Sequence, residues 1–224
     1  MNLTENDQHR RIILARHGQT EWNMQYRFQG RTNTKLTEEG KRQAHALAAR
    51  LSSWPPEIIY TSPLDRAYYT ASAIAEYHNL TPVILPELEE INFAAWEGES
   101  IPQLQKEQSS TFSRWRSDPF FYPPDGAETW EKLYVRLSIA VKTFLQGSYK
   151  RIVVVSHGGV MRALYAVFLG LNPHKVWNMD VSNCAMSEVE MRHGRPCLVF
   201  ANDDLHVRAG KLGENLPVWG ENDL

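Results

Sequence analysis

Two histidines, 140 residues apart, end the same local pattern. Residues 11–18 read RIILARHG and residues 151–158 read RIVVVSHG. Each is a basic residue, a short apolar run and a His-Gly pair, the pattern of a buried strand that stops abruptly. Side by side in one sheet, two such strands put His17 and His157 at its carboxyl edge, where open α/β sheets bind ligands. Other groups fall at the same edge. Arg16 precedes His17 and Asn23 follows it, Arg66 lies just past a second apolar run, and Glu87, Glu89 and Glu90 follow a third. Gly158 and Gly159 follow His157. Arginine forks bind a tetrahedral dianion. An imidazole can attack phosphorus, and a carboxylic acid can protonate the departing alkoxide. Phosphoryl transfer needs mostly positioning and charge neutralisation, so this set suits it without a metal or other cofactor.

The elements that must hold these groups alternate. Strands are expected at 11–15, 57–62, 82–86 and 151–155. Helices are expected at 37–51 with Thr37 as N-cap, after Ser62 and Pro63 with Ser62 as cap, at 128–146, and at 159–169, stopped by Gly170. The chain closes on two β-like runs, 184–191 and 196–201, joined by a turn at RHGR. The second Arg-His-Gly triplet, 192–194, is therefore a hairpin turn and not chemistry. This order predicts an α/β fold, a three-layer α/β/α sandwich on a mostly parallel sheet. Residues 1–210 are expected as one domain with a lid insertion at about 99–130, and 211–224 as a loose C-terminal tail.

The chain has 224 residues, 42% of them hydrophobic, and a formal charge of −2. That balance supports a sizeable core and gives no bulk attraction to nucleic acid. No apolar run reaches transmembrane length, and the polar N-terminus is unlike a signal peptide. Cys184 and Cys197 form no framework, so they are read as small hydrophobes in a cytoplasmic protein. The apolar last strand offers an edge for a homodimer.

Bland alternatives exist for each residue. A histidine after a strand is often structural, Arg66 alone could be a solvated helix residue, and three glutamates are commonly an exposed loop. A metal site would need His or Cys spacings that are missing, and the nearby arginines would repel a cation. The case rests on the conjunction.

The run LARHGQTEWN resembles the signature of the histidine phosphatase superfamily, the phosphoglycerate-mutase-like enzymes. RFQG at 27–30, LTEEG at 36–40, TSPLDRAYYTA at 61–71, LEEINFAAWEG at 88–98 and VVVSHGGVMRAL at 153–164 resemble further blocks in the same order. The resemblance implies a phosphoric monoester hydrolase acting on a small-molecule phosphate monoester. His17 would be the nucleophile, Arg16 and Arg66 the phosphoryl clamp, and His157 a neutralising partner. Asn23, Gln29, Gly30 and Gly158 match substrate-binding positions. Glu90 matches the proton donor, with Glu89 as fallback. Ala94 stands where the family usually has Gly, which leaves that register open. EEINFAAWEG is nearer the phosphatase branch than the mutase branch. PPDGAETW is similar to α-ribazole-5′-phosphate phosphatases, and HGGVMRALYAVFLGL to metal-independent phosphoserine phosphatases. A broad sugar-phosphate phosphatase, a phosphoglycerate mutase and a non-catalytic phospho-ligand module remain alternatives. Phe112, Trp115, Phe120, Phe121, Tyr122 and Trp130 are expected near the cleft, about half of them as core.

Overall fold

The structure is a computed structural model and describes residues 10–208; the expected tail lies outside them. In chain order the elements are β1 (Arg11–Arg16), α1 (Glu21–Met24), α2 (Glu38–Leu51), β2 (Ile58–Thr61), α3 (Asp65–Glu76), β3 (Val83–Ile84), α4 (Ile101–Glu107), α5 (Ser109–Ser117), α6 (Trp130–Gln146), β4 (Arg151–Ser156), α7 (Gly158–Leu169), β5 (Met186–Arg192), β6 (Arg195–Asp203) and α8 (Leu205–Arg208). The sheet runs β3-β2-β4-β1-β5-β6. β3, β2, β4 and β1 are mutually parallel, while β5 and β6 are antiparallel additions. The expected mixed α/β sandwich is the one observed.

Alternation along the central strands explains the three layers. Ile12, Leu14, Ile152 and Val154 point into the core beneath α6 and α7. Ile13, Ala15, Val153 and Val155 point into the core beneath α2 and α3. A strand buried on both faces reads as a continuous apolar run, which is why RIILAR and RIVVVS look alike. Their pairing is in register, Ile12 opposite Ile152 and Arg16 opposite Ser156. The residue after each strand is a histidine, so the register alone makes His17 and His157 neighbours.

Local signals set most of the boundaries. Thr37 caps α2, accepting from the Gly40 amide, and Leu47, Ala48 and Leu51 form its buried stripe. α7 ends at Gly170 in the left-handed conformation, φ 69°. His193 and Gly194, φ 50° and 74°, make the two-residue hairpin between β5 and β6, so this triplet is a turn. The cap of α3 differs from the expected one. α3 starts at Asp65, not after a Ser62 cap. The Ser62 hydroxyl is buried against His157 and the Leu64 amide instead, because the site and not the helix claims it.

Ala94 has φ 51°. A residue that carries a Cβ is strained in this left-handed turn. Ala94→Gly is expected to stabilise the protein by up to about 1 kcal/mol, the relief of left-handed strain less the backbone entropy of glycine. Urea denaturation checks this, and a midpoint that falls would contradict it.

Candidate active site

The carboxyl ends of β1, β2 and β4 meet in a cleft of about 190 Å³, whose wall includes Arg16, His17, Arg66, Glu90, Gly158 and Arg162. The two imidazoles lie 5.2 Å apart, centroid to centroid. His17 is held by its backbone: its amide donates to Ser156 O, and its carbonyl accepts from the Cys184 amide and from Asn183 Nδ2. Its Nδ1 is 2.7 Å from its neighbour Gly18's carbonyl. A carbonyl can only accept, so Nδ1 carries the proton and Nε2 keeps a lone pair.

His157 has the opposite tautomer. Arg66 Nε donates to its Nδ1 at 3.2 Å, which leaves Nε2–H to donate to Ser62 Oγ at 2.8 Å. Both imidazoles are neutral in this arrangement. Burial holds the pKa of each well below the usual 6.5, and the Arg66 and Arg16 guanidiniums push further in the same direction. His206 is also lowered, chiefly by burial.

This has a consequence for stability. The unfolded chain takes up protons on these histidines below about pH 6.5, whereas the folded state does so only at lower pH. Their neutral burial is therefore compatible with full stability above that pH, and stability falls as the pH drops through the interval. Each group contributes a slope of up to about 1.4 kcal/mol per pH unit. Denaturation at about pH 7 and about pH 5 should show the loss, and His17→Gln should flatten it. An unchanged slope in His17→Gln would contradict the assignment.

The arginines divide their tasks. Arg66 is 1% exposed. Besides His157, it donates to Gly30 O at 2.7 Å and Thr32 O at 2.9 Å, which leaves one N–H on each terminal nitrogen. Arg16 donates to Val181 O at 2.6 Å, while its buried Nε has no partner. Burial lowers both pKa values to about 10, so both stay cationic at neutral pH. Arg162, one turn along α7, donates to Gly158 O and Met179 O and stacks over Trp177.

Glu90 enters from the loop after β3. Its carboxylate accepts from the amides of Ile91 (2.9 Å), Gly159 (3.1 Å) and Val160 (3.2 Å). A Cβ on residue 159 would stand 2.7 Å from Glu90 Oε1 and 2.6 Å from Ile91 Cδ1, so Gly159 permits this approach. Glu89 turns away to Arg31, 3.3 Å. The geometry therefore places Glu90, not Glu89, on the cleft wall.

Of the other expected residues, Gln29, Gly30 and Gly158 line the cleft. Asn23 lies two hydrogen bonds back, behind Thr20 and Gln29. It closes a capping box with Thr20 at the start of α1, and Thr20 in turn donates to Gln29. Among the six expected aromatics, Trp115 reaches the cleft. Phe112 and Phe120 are core, Trp130 and Phe121 pack against the core, and Tyr122 is 41% exposed. Phe28, Phe93, Trp177, Ser62 and Arg162 were not foreseen. Arg162 is visible in retrospect at four residues past Gly158, on the same helical face. Among the described residues no group of three His, Cys, Asp or Glu is placed to hold a metal ion, and no helix is long and apolar enough to cross a membrane.

Comparison with known proteins fits this geometry. Phosphoserine phosphatase 1 of Hydrogenobacter thermophilus is 35% identical over 202 residues, 88% of this chain and 94% of that one. A protein named "Probable phosphoglycerate mutase GpmB" from Photorhabdus laumondii subsp. laumondii is 32% identical over 81% of this chain and 85% of its own. The solved structure of the α-ribazole phosphatase from Shigella flexneri superposes with a TM-score of 0.78 at 28% identity, covering 87% of this chain and 96% of that one. The family model described as histidine phosphatase superfamily (branch 1) matches residues 12–204. The chain belongs to the histidine phosphatase superfamily, branch 1.

Proposed function

We propose that this protein hydrolyses a small phosphate monoester through a phosphohistidine on His17, using protein groups alone. The observation that carries this reading is the tautomer of His17: Nδ1–H is spent on Gly18 O, and a neutral Nε2 is left at a cleft walled by arginines. In the first step the Nε2 lone pair forms the N–P bond as the ester P–O bond breaks. The leaving alkoxide takes its proton from Glu90. The unpartnered Arg16 Nε and the two remaining Arg66 N–H groups hold the phosphoryl oxygens, with His157 beside them. In the second step water attacks phosphorus, Glu90 takes its proton, and His17 leaves as the neutral imidazole with inorganic phosphate released.

The cleft volume and its charge support a compact, acidic substrate. Four arginines (Arg16, Arg27, Arg66 and Arg162) line about 190 Å³ alongside Glu90. Together with the likeness to a phosphoserine phosphatase, this moves phosphoserine ahead of the bulkier α-ribazole-5′-phosphate. The segment 99–130, through Ile101 and Trp115, forms one wall and acts as the lid. The reading extends to a cytoplasmic enzyme without nucleic-acid partners, with the outer edge of β6 as the surface for a homodimer.

The test is phosphate release in EDTA from phosphoserine, α-ribazole-5′-phosphate, 3-phosphoglycerate and sugar phosphates. Phosphoserine should give the highest kcat/KM. Isomerisation of 3-phosphoglycerate without phosphate release would instead assign a mutase, the second activity named among the relatives.

A further inference from the structure

The loop that carries Glu90 has almost no regular structure of its own. After a short 3₁₀ turn at Pro86–Leu88, residues 89–92 belong to no helix or strand. Their carbonyls need donors from elsewhere. Arg136, on α6, supplies those for Glu89 and Glu90 and for Glu87 just before them. Its Nη1 donates to Glu87 O (2.6 Å) and Glu89 O (2.8 Å), and its Nη2 to Glu90 O (3.3 Å). Its Nε and Nη2 also form a two-point pair with Glu128, at 2.7 and 2.8 Å. All five donors of the guanidinium are used.

Glu128 fixes this arrangement from the other side. Its side chain is 7% exposed and that of Arg136 is 14% exposed. The Glu128 amide donates to Asn92 O. Arg31, from the loop that also supplies Gly30, reaches Glu128 Oε1 at 3.4 Å and Glu90 O at 3.3 Å. Two guanidiniums thus converge on the Glu90 carbonyl with Glu128 between them, while α7 amides hold the Glu90 carboxylate. The acid is gripped at both ends.

We infer that Arg136 and Glu128 are positioning residues for the proton transfer by Glu90, and that through them the end of the 99–130 segment sets the placement of the acid. This rests on the reading of Glu90 as proton donor. A planar fork is required, because five donors meet five acceptor contacts that an ammonium cannot span.

The experiment compares kcat/KM for p-nitrophenyl phosphate, whose leaving group needs little protonation, with that for phosphoserine, whose alkoxide needs a proton. Both substrates form the same phosphoenzyme, and kcat/KM reports steps up to that point. Glu90→Gln is the reference variant, and thermal melts monitor folding. Arg136→Met is expected to cut kcat/KM on phosphoserine by about 30-fold or more and on p-nitrophenyl phosphate by about 3-fold or less. Glu128→Gln should show the same bias, and Arg136→Lys an intermediate one. If Arg136→Met does not fold, Glu128→Gln carries the same contrast. Equal losses on both substrates, or none, in Arg136→Met and Glu128→Gln alongside a biased Glu90→Gln would overturn the positioning role and leave Glu90 standing. An unbiased Glu90→Gln would instead remove the proton-donor reading, and the inference with it.

Discussion

His17→Ala should abolish phosphate release, lowering kcat by on the order of 10⁴-fold or more. The effect is large because the nucleophile is the one group that makes a covalent bond, and neighbouring arginines cannot replace it. The site makes the test clean. His17 is positioned mainly by its backbone, through Ser156 O, the Cys184 amide and Asn183 Nδ2, so truncation of the ring leaves these contacts in place. His157 cannot substitute, since its Nδ1 accepts from Arg66 and its Nε2 is committed to Ser62. The variant should also relieve the cost of one buried neutral imidazole at low pH. Steady-state phosphate assays beside circular dichroism decide the matter: a folded variant retaining a hundredth of wild-type kcat would sink the nucleophile assignment.

Arg66→Lys is expected to lower kcat/KM by on the order of 10³-fold. Three of the Arg66 donors are spent on His157 Nδ1, Gly30 O and Thr32 O, and the two left over are the ones available to a phosphoryl group. The side chain therefore sets the His157 tautomer, fixes the substrate loop and clamps the anion together. A lysine ammonium is a point charge with three donors and cannot span this fork. The buried Gly30 carbonyl and the part-buried Thr32 carbonyl lose their donor as well, at up to about 1–3 kcal/mol for a buried group left unsatisfied, so a lower melting temperature should accompany the loss of rate. Phosphate inhibition separates the effects: the variant should bind inorganic phosphate weakly even where it is fully folded. Retention of more than about a tenth of wild-type kcat/KM would show that charge alone suffices.

Much of this was legible in the chain because catalysis sits at strand ends. The repeated RIxxxxHG pattern encodes two parallel strands buried on both faces, and their register brings His17 to His157 without further information. Thr37, Gly170 and the His193-Gly194 turn follow from local backbone chemistry, which a short window of sequence contains. What failed to show was tertiary in origin. Ser62 reads as a helix cap but serves His157, since a hydroxyl can satisfy either and only the fold decides. Arg136 looks like a break in the apolar face of α6, and Glu128 like a loop acid. The meaning of Arg136 depends on carbonyls more than 40 residues away in sequence, at Glu87, Glu89 and Glu90, and that of Glu128 on Arg136. The aromatic residues of the 99–130 segment were only half readable, because a Phe packing under a wall and a Phe lining it have the same composition signal.

Turnover through His17 requires a covalent phosphoryl group on its imidazole. The most direct measurement is rapid quench of the enzyme with p-nitrophenyl phosphate into base, followed by mass spectrometry of the peptide that contains residues 11–18. A base-stable, acid-labile phosphoryl adduct on His17 is expected, formed with a burst of nitrophenol and absent from His17→Ala. Turnover at full rate with no adduct at any time, or an adduct mapped to His157, would contradict it.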